Sequence, residues 1–219
     1  MRITRVLFAF VVVGFVAGFA QENPPPPLLL TGDAERGAAI ANETCAACHG
    51  ANGNSTVPTF PRLAGQVQPY LAVQLFVLKE GRRPSAIMNP IASTLSYQEI
   101  ADLAAYFSGQ DPAGAPWPGQ DPALVERGGE LFAEGDVEGG LIACAVCHGP
   151  AGDGVASLGV PRITGQAPGY LKGILAEFAQ VPDFGAPLPN AMHVVASALS
   201  AEDTDAVIAY LASQPWGNP

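Results

Sequence analysis

The hydrophobic pattern of this chain opens with one unbroken apolar run and then settles into two copies of a single pattern. Val6 to Phe19 carry no charge, follow Arg2 and Arg5, and lead into Gly18-Phe19-Ala20. Basic, apolar and small residues in that order mark an export signal. The run is about 14 residues where a membrane span needs roughly 20, so residues 1–20 read as a signal peptide cleaved after Ala20, with an uncleaved anchor as the alternative. Either way the folded part lies outside the cytoplasm. The Pro-rich "NPPPPLLLTG" (23–32) reads as an extended spacer, assigned to 21–31.

Beyond the spacer, "MNPIASTLSYQEIADLAAYF" (88–107) and "MHVVASALSAEDTDAVIAYL" (192–211) share one succession of apolar and polar positions, and each predicts a terminal helix. Ser96 with Glu99 forms a capping box and Leu95 with Ile100 a hydrophobic staple; Ser200 with Asp203 is a weaker version. An earlier helix opens at "ERG" in each copy (35–37 and 126–128). In the first copy it runs on through "AERGAAIANETCAACH"; in the second the acidic, Gly-rich "AEGDVEGG" (133–140) interrupts it. Nothing reads as a strand, so the fold class is all-α.

The duplication extends to "FPRLAGQVQPYL" (60–71) and "VPRITGQAPGYL" (160–171), and a Pro/Gly-rich stretch (108–123) separates the copies. The expected organisation is an N-terminal domain at 32–108, a linker at 109–122 and a C-terminal domain at 123–219.

The four cysteines give the repeat its chemistry. In an exported chain they first suggest two disulfides, but they occur as Cys45-Ala46-Ala47-Cys48-His49 and Cys144-Ala145-Val146-Cys147-His148. Cys-x-x-Cys-His is the attachment signature of c-type haem. The thiols form thioethers with the haem vinyl groups, and the adjacent histidine becomes an iron ligand. A thioredoxin-like dithiol needs a βαβ context, and a zinc site would not need a histidine directly after each pair. Two haem c groups are therefore the expected cofactors.

Apart from the initiator, the only methionines are Met88 and Met192, at equivalent repeat positions. A lone methionine is ordinarily core filler; a matched pair with none elsewhere is better explained as the distal iron ligands, which raise the haem potential. The metal set is then His49, Met88, His148 and Met192. His193, where the first copy has Asn89, reads either as a surface histidine or as an alternative ligand at the second iron.

Charge narrows the choice of partner. Without residues 1–20 the chain holds 8 basic and 20 acidic residues, a formal −12, which excludes nucleic acid. Residues 32–110 carry six acids and five bases; residues 121–219 carry twelve acids and three. This asymmetry is either a solvated acidic face or a surface that steers towards a basic patch on a partner.

Taken together, the "CxxCH" sites, the "PR(L/I)xGQ" loops with the "YL" after each, and the "M…LS…AYF/L" endings resemble the dihaem cytochrome c4 family over roughly residues 32–214. The resemblance implies two tandem class I cytochrome c domains, each wrapped around one covalently attached haem and related by a pseudo-twofold axis. It implies that the carbonyls of Pro61 and Pro161 orient His49 and His148, and that Arg62 and Arg162 meet haem propionates. It also implies a periplasmic carrier moving electrons from a membrane-bound quinol-oxidising complex or dehydrogenase to a haem–copper terminal oxidase. Two alternatives are a dihaem subunit of a sulfide-oxidising flavocytochrome and a dihaem enzyme of peroxidase or thiosulfate dehydrogenase type. A peroxidase needs one haem with an open or labile distal side; thiosulfate dehydrogenases of this type use a cysteine as distal ligand, and here all four are spent on thioethers. The second copy departs from the pattern at "FAQVPDFGAPLPNAM" (178–192), which is longer than "FVLKEGRRPSAIM" (76–88) and lacks its bases; unequal haem potentials are the expected result.

Overall fold

The computed structural model describes residues 27–181 and 191–217. The expected signal peptide, most of the spacer and the centre of the loop before Met192 lie outside the described residues.

In the first half, α1 (Ala34–Ile40) starts where the Asp33 carboxylate accepts the N–H groups of Glu35 and Arg36. The chain does not leave the helix at its end. It widens into a π-turn over Ala41–Cys45 and tightens again into α2 (Ala46–His49). Single π-turns inside α-helices are frequent at functional sites, and this one ends on the first cysteine. Then come α3 (Gln68–Lys79), α4 (Met88–Thr94) and α5 (Tyr97–Ser108). The capping box expected at α5 is complete, with Glu99 N–H on Ser96 Oγ at 3.2 Å and Ser96 N–H on Glu99 Oε2 at 2.6 Å.

The second half repeats the order with α6 (Pro122–Glu134), α7 (Cys144–His148), α8 (Pro168–Gln180), α9 (Ala191–Ala198) and α10 (Ala201–Ser213). Its first helix does stop short. Gly135, at φ +73°, turns the chain, and Asp136 and Leu141 then exchange both backbone hydrogen bonds at 2.8 Å. The acidic insertion is thus a small hairpin standing between α6 and α7. Among the described residues there are isolated bridges but no β-strands, and no helix is long and apolar enough to cross a membrane.

Each half is built on one close helix crossing, α1 over α5 and α6 over α10. The glycine of "ERG" makes it possible: a Cβ on Gly37 would lie 2.2 Å from Asp102 O, and one on Gly128 2.0 Å from Ala206 O. Around these crossings sit Leu71, Ile100, Leu103 and Phe107 in the first core, and Leu131, Phe132, Leu171 and Leu211 in the second. Full burial of such a side chain contributes about 1.5–3 kcal/mol. The arginine of "ERG" ties the same crossing from outside. Arg36 donates to both oxygens of buried Asp102 at 2.8 and 2.9 Å, and Arg127 meets Asp203 at 3.1 Å.

The stretch between the halves does more than separate them. Trp117, in the linker, turns onto the second half, with its N–H on Ala212 O at 2.8 Å and its indole N–H on Gly165 O at 3.1 Å. The tail after α10 makes the reciprocal move. Trp216 pairs with Gly114 through two backbone bonds and donates its indole N–H to Ala64 O at 3.0 Å. Each half is covered by the arm that leaves the other.

Candidate haem centres

Each haem motif lies on a short helix that ends at a glycine with positive φ, Gly50 (+80°) and Gly149 (+83°). The chain then doubles back. Gly53 O accepts the N–H groups of Leu63 and Ala64, and Gly152 O those of Ile163 and Thr164. This fold-back lays the Pro-Arg segment over the histidine. His49 Nδ1 stands 2.9 Å from Pro61 O and His148 Nδ1 2.8 Å from Pro161 O. A carbonyl can only accept, so Nδ1 carries the proton and Nε2 keeps its lone pair for a metal. Both imidazoles are 6% exposed, and burial lowers their pKa, against the pull of the proline carbonyls. They are neutral, as a ligand must be.

No disulfide joins any two of the four cysteines. Burial pushes Cys45 up to about 11, with Cys48 adding to it, and burial also raises Cys144. Met88 opens α4, with its N–H on Ser85 Oγ at 3.1 Å, and Met192 lies in the first turn of α9. Both are half-buried, in the segments that return from α3 to α5 and from α8 to α10.

The two arginines occupy the boundary between the halves. Arg62, 4% exposed, donates from Nε to Ser55 O at 3.2 Å, from Nη1 to Gly165 O at 2.8 Å and from Nη2 to Ala115 O at 3.0 Å. Its guanidinium stacks 4.5 Å from the Trp117 ring centre. Arg162 pairs with Asp153 at 2.7 Å and lies 5.5 Å from the Trp216 ring. Its Nε–H is buried without a partner, alone in that respect among the described side chains. An orphaned cationic donor beside a haem motif fits an anionic group such as a haem propionate, since a buried unsatisfied donor is otherwise costly. Thiols, a neutral imidazole and an unmet cation therefore form a donor set consistent with haem c.

His193 donates from Nδ1 to Phe178 O at 2.9 Å. Asn89 has the same relation in the first half, with Nδ2 on Leu78 O at 2.6 Å and on Arg83 O at 2.9 Å. The histidine thus does the bridging work of Asn89, tying the methionine segment to the end of the preceding helix.

Two residues given no role from sequence hold the halves together. Gln66 accepts from Arg162 N–H at 2.8 Å and donates to Arg162 O at 2.9 Å. Gln166 accepts from Arg62 N–H at 2.7 Å and donates to Arg62 O at 2.9 Å. Each also receives the N–H of the next residue, Val67 at 2.9 Å or Ala167 at 2.8 Å, just ahead of its own helix. Their signal was the repeated "GQ" after each Pro-Arg pair. The reciprocity is that of a pseudo-twofold axis, and the hydroxyls of Tyr70 and Tyr170 approach to 3.4 Å across the same boundary.

Comparison with known proteins gives the same picture. The family model for cytochrome c matches residues 34–110 and again 125–215. Cytochrome c4 of Thiocapsa roseopersicina is 43% identical over 184 residues, covering 82% of this chain and 92% of that protein. A thiosulfate dehydrogenase electron acceptor of Thiomonas intermedia is 38% identical over 173 residues, covering 78% of this chain and 79% of that one. The crystal structure of reduced recombinant cytochrome c4 from Pseudomonas stutzeri matches with a TM-score of 0.76 at 36% identity, over 84% of this chain and 100% of the other. The chain belongs to the cytochrome c family, as a two-domain electron carrier of the cytochrome c4 type with one covalently attached haem c in each domain.

Proposed function

We propose that the protein is an exported, periplasmic carrier that shuttles single electrons between membrane complexes, with domains at 32–108 and 123–219 joined by 109–122. In this reading Cys45, Cys48, Cys144 and Cys147 anchor the haems, and His49 with Met88 and His148 with Met192 are the axial pairs. Pro61 and Pro161 orient the histidines, and Arg62 and Arg162 meet propionates. A bound haem supplies one-electron storage at its iron. The protein fixes each imidazole tautomer, keeps water from the histidine side and holds the two sites at a set separation. The observation that carries this reading is that both histidines, equally buried, donate to equivalent proline carbonyls. Neither half has decayed.

The donor is a quinol-oxidising complex or a dehydrogenase, and the acceptor a haem–copper oxidase. The relative named as an electron acceptor of thiosulfate dehydrogenase favours a dehydrogenase as donor. Docking falls to the acidic second domain, where Ile142 and Val146 beside Cys147 are 57% and 73% exposed. A negatively charged domain suits a basic partner surface.

A redox titration that resolves the two haems tests this function. Two high potentials are expected, whereas one very low potential would assign the protein to enzymes instead. The weak far-red iron–sulfur band of the oxidised protein should fall by half in Met88→Ala and by half in Met192→Ala. A band untouched by either change refutes the ligand assignment.

A further inference from the structure

Several polar contacts across the domain boundary occur in twofold-related pairs; the ion pair between Arg83 and Glu177 does not. Arg83 Nε lies 3.1 and 3.3 Å from the two carboxylate oxygens of Glu177, and both side chains are largely buried, at 11% and 17% exposure. Gln74 holds Arg83 Nη1 at 2.8 Å. The pair has no symmetry mate, because Val77 stands in the first half where Glu177 stands in the second.

What the pair joins gives it meaning. On one side, Arg83 O accepts from Asn89 Nδ2, Asn89 Oδ1 accepts from Ser85 N–H, and Ser85 Oγ accepts from Met88 N–H. Arg83 is thus part of the hydrogen-bonded loop that seats Met88. On the other side, Glu177 precedes Phe178, whose carbonyl accepts from His193 Nδ1, and His193 follows Met192. A continuous path of bonds runs from one methionine, through the ion pair, to the other. A directional ion pair shielded from water holds geometry better than an exposed one, and coupling between sites needs such a physical link.

We propose that Arg83–Glu177 is a positioning pair that couples the two methionine segments, so that the redox state of one haem biases the potential of the other. The proposal rests on reading Met88 and Met192 as distal ligands. The coupling is reciprocal, as any linkage between binding equilibria must be.

The experiment is a haem-resolved redox titration of the holo-protein, with the far-red band recorded for wild type, Arg83→Lys and Glu177→Gln. Arg83→Lys keeps the charge but loses the fork that reaches Glu177 and Gln74 together. It should change the reduced-to-oxidised ratio of the second-domain haem at fixed poise by about fivefold, the low end of coupling between sites, although the substitution lies in the first domain. Glu177→Gln should shift the first-domain haem in the same way. A second-domain haem unmoved by Arg83→Lys, with its far-red band intact, overturns the coupling. So does a common shift of both haems in Glu177→Gln with none in Arg83→Lys, which is the signature of lost charge alone. A wild-type protein lacking the far-red band refutes the ligand reading instead, and the coupling with it. Should Glu177→Gln fail to fold, Arg83→Lys with Asn89→Ala carries the test, since Asn89→Ala cuts the same path one bond nearer Met88.

Discussion

Replacing Gln166 by alanine should open the molecule between its domains before either domain unfolds. The side chain is 3% exposed and makes three hydrogen bonds, at 2.7, 2.8 and 2.9 Å, to Arg62 N–H, Ala167 N–H and Arg62 O. Truncation leaves all three backbone groups without a partner in a boundary already closed by Arg62 and Trp117. Each orphaned group costs about 1–3 kcal/mol where water cannot reach it, so the loss is about 3–9 kcal/mol. Against a typical domain stability of roughly 5–15 kcal/mol, this is enough to separate docking from folding. Guanidinium titration can follow the two events independently, because the chain has 2 tryptophans and both lie at the boundary. Fluorescence then reports docking and far-UV circular dichroism reports helices. In the wild type the two transitions should coincide; in Gln166→Ala the fluorescence transition should move to lower denaturant and leave the dichroism behind. Gln66→Ala, its twofold mate, should behave alike. Coincident transitions displaced by less than about 1 kcal/mol would refute the idea that these glutamines hold the domains together.

Further outcomes follow from the helix crossings and the charges. In Gly128→Ala the new Cβ would meet Ala206 O at 2.0 Å; overpacking of this kind costs about 1–3 kcal/mol or more and should appear as a lowered melting temperature. Burial pushes the Asp102 carboxyl up, but Arg36, the Asp33 N–H and Gln98 more than offset that and hold its pKa below the usual range. Its contribution is therefore complete above the unfolded value of about 3.9 and is lost as pH falls through the lower folded value. Wild-type stability, measured by denaturant at a series of pH values, should drop below about pH 4. Asp102→Asn should be less stable at neutral pH and lack that component of the acid limb. Electron exchange with a basic redox protein, followed by stopped flow, should slow as salt rises towards about 0.15 M, where the screening length is about 8 Å. A salt-independent rate would remove the acidic second domain from the docking surface.

The local features were legible in the chain because each depends on near neighbours. Ser96 and Glu99 sit three residues apart, so their capping box needs only a helix to begin. The haem motif needs only one turn, and "AEGDVEGG" announces its break through its glycines. The π-turn over Ala41–Cys45 left no such mark, since it holds no glycine or proline and the widening adds a residue without changing composition. The glycines of "ERG" were visible, but their purpose lies in α5 and α10, 65 and 78 residues away. Gln66, Gln166, Trp117 and Trp216 were harder still. Their partners belong to the opposite domain, and a repeated "GQ" or a tryptophan in a Pro-rich stretch does not say across which boundary it will bond. Duplication told which residues mattered twice; it could not tell that each copy would complete the other.

That exchange of arms has a consequence for how the chain is made. Synthesis proceeds from the N-terminus, so α1 to α5 emerge long before Trp216, the residue whose indole closes on Ala64. Until Trp216 has been made and has docked, the flank at Ala64 lacks the indole that covers it. A polypeptide cut short before Trp216 keeps both haem motifs and yet never closes. Closure of the first domain is thereby made conditional on a residue beyond α10, and a product truncated ahead of Trp216 is marked by the surface it leaves open.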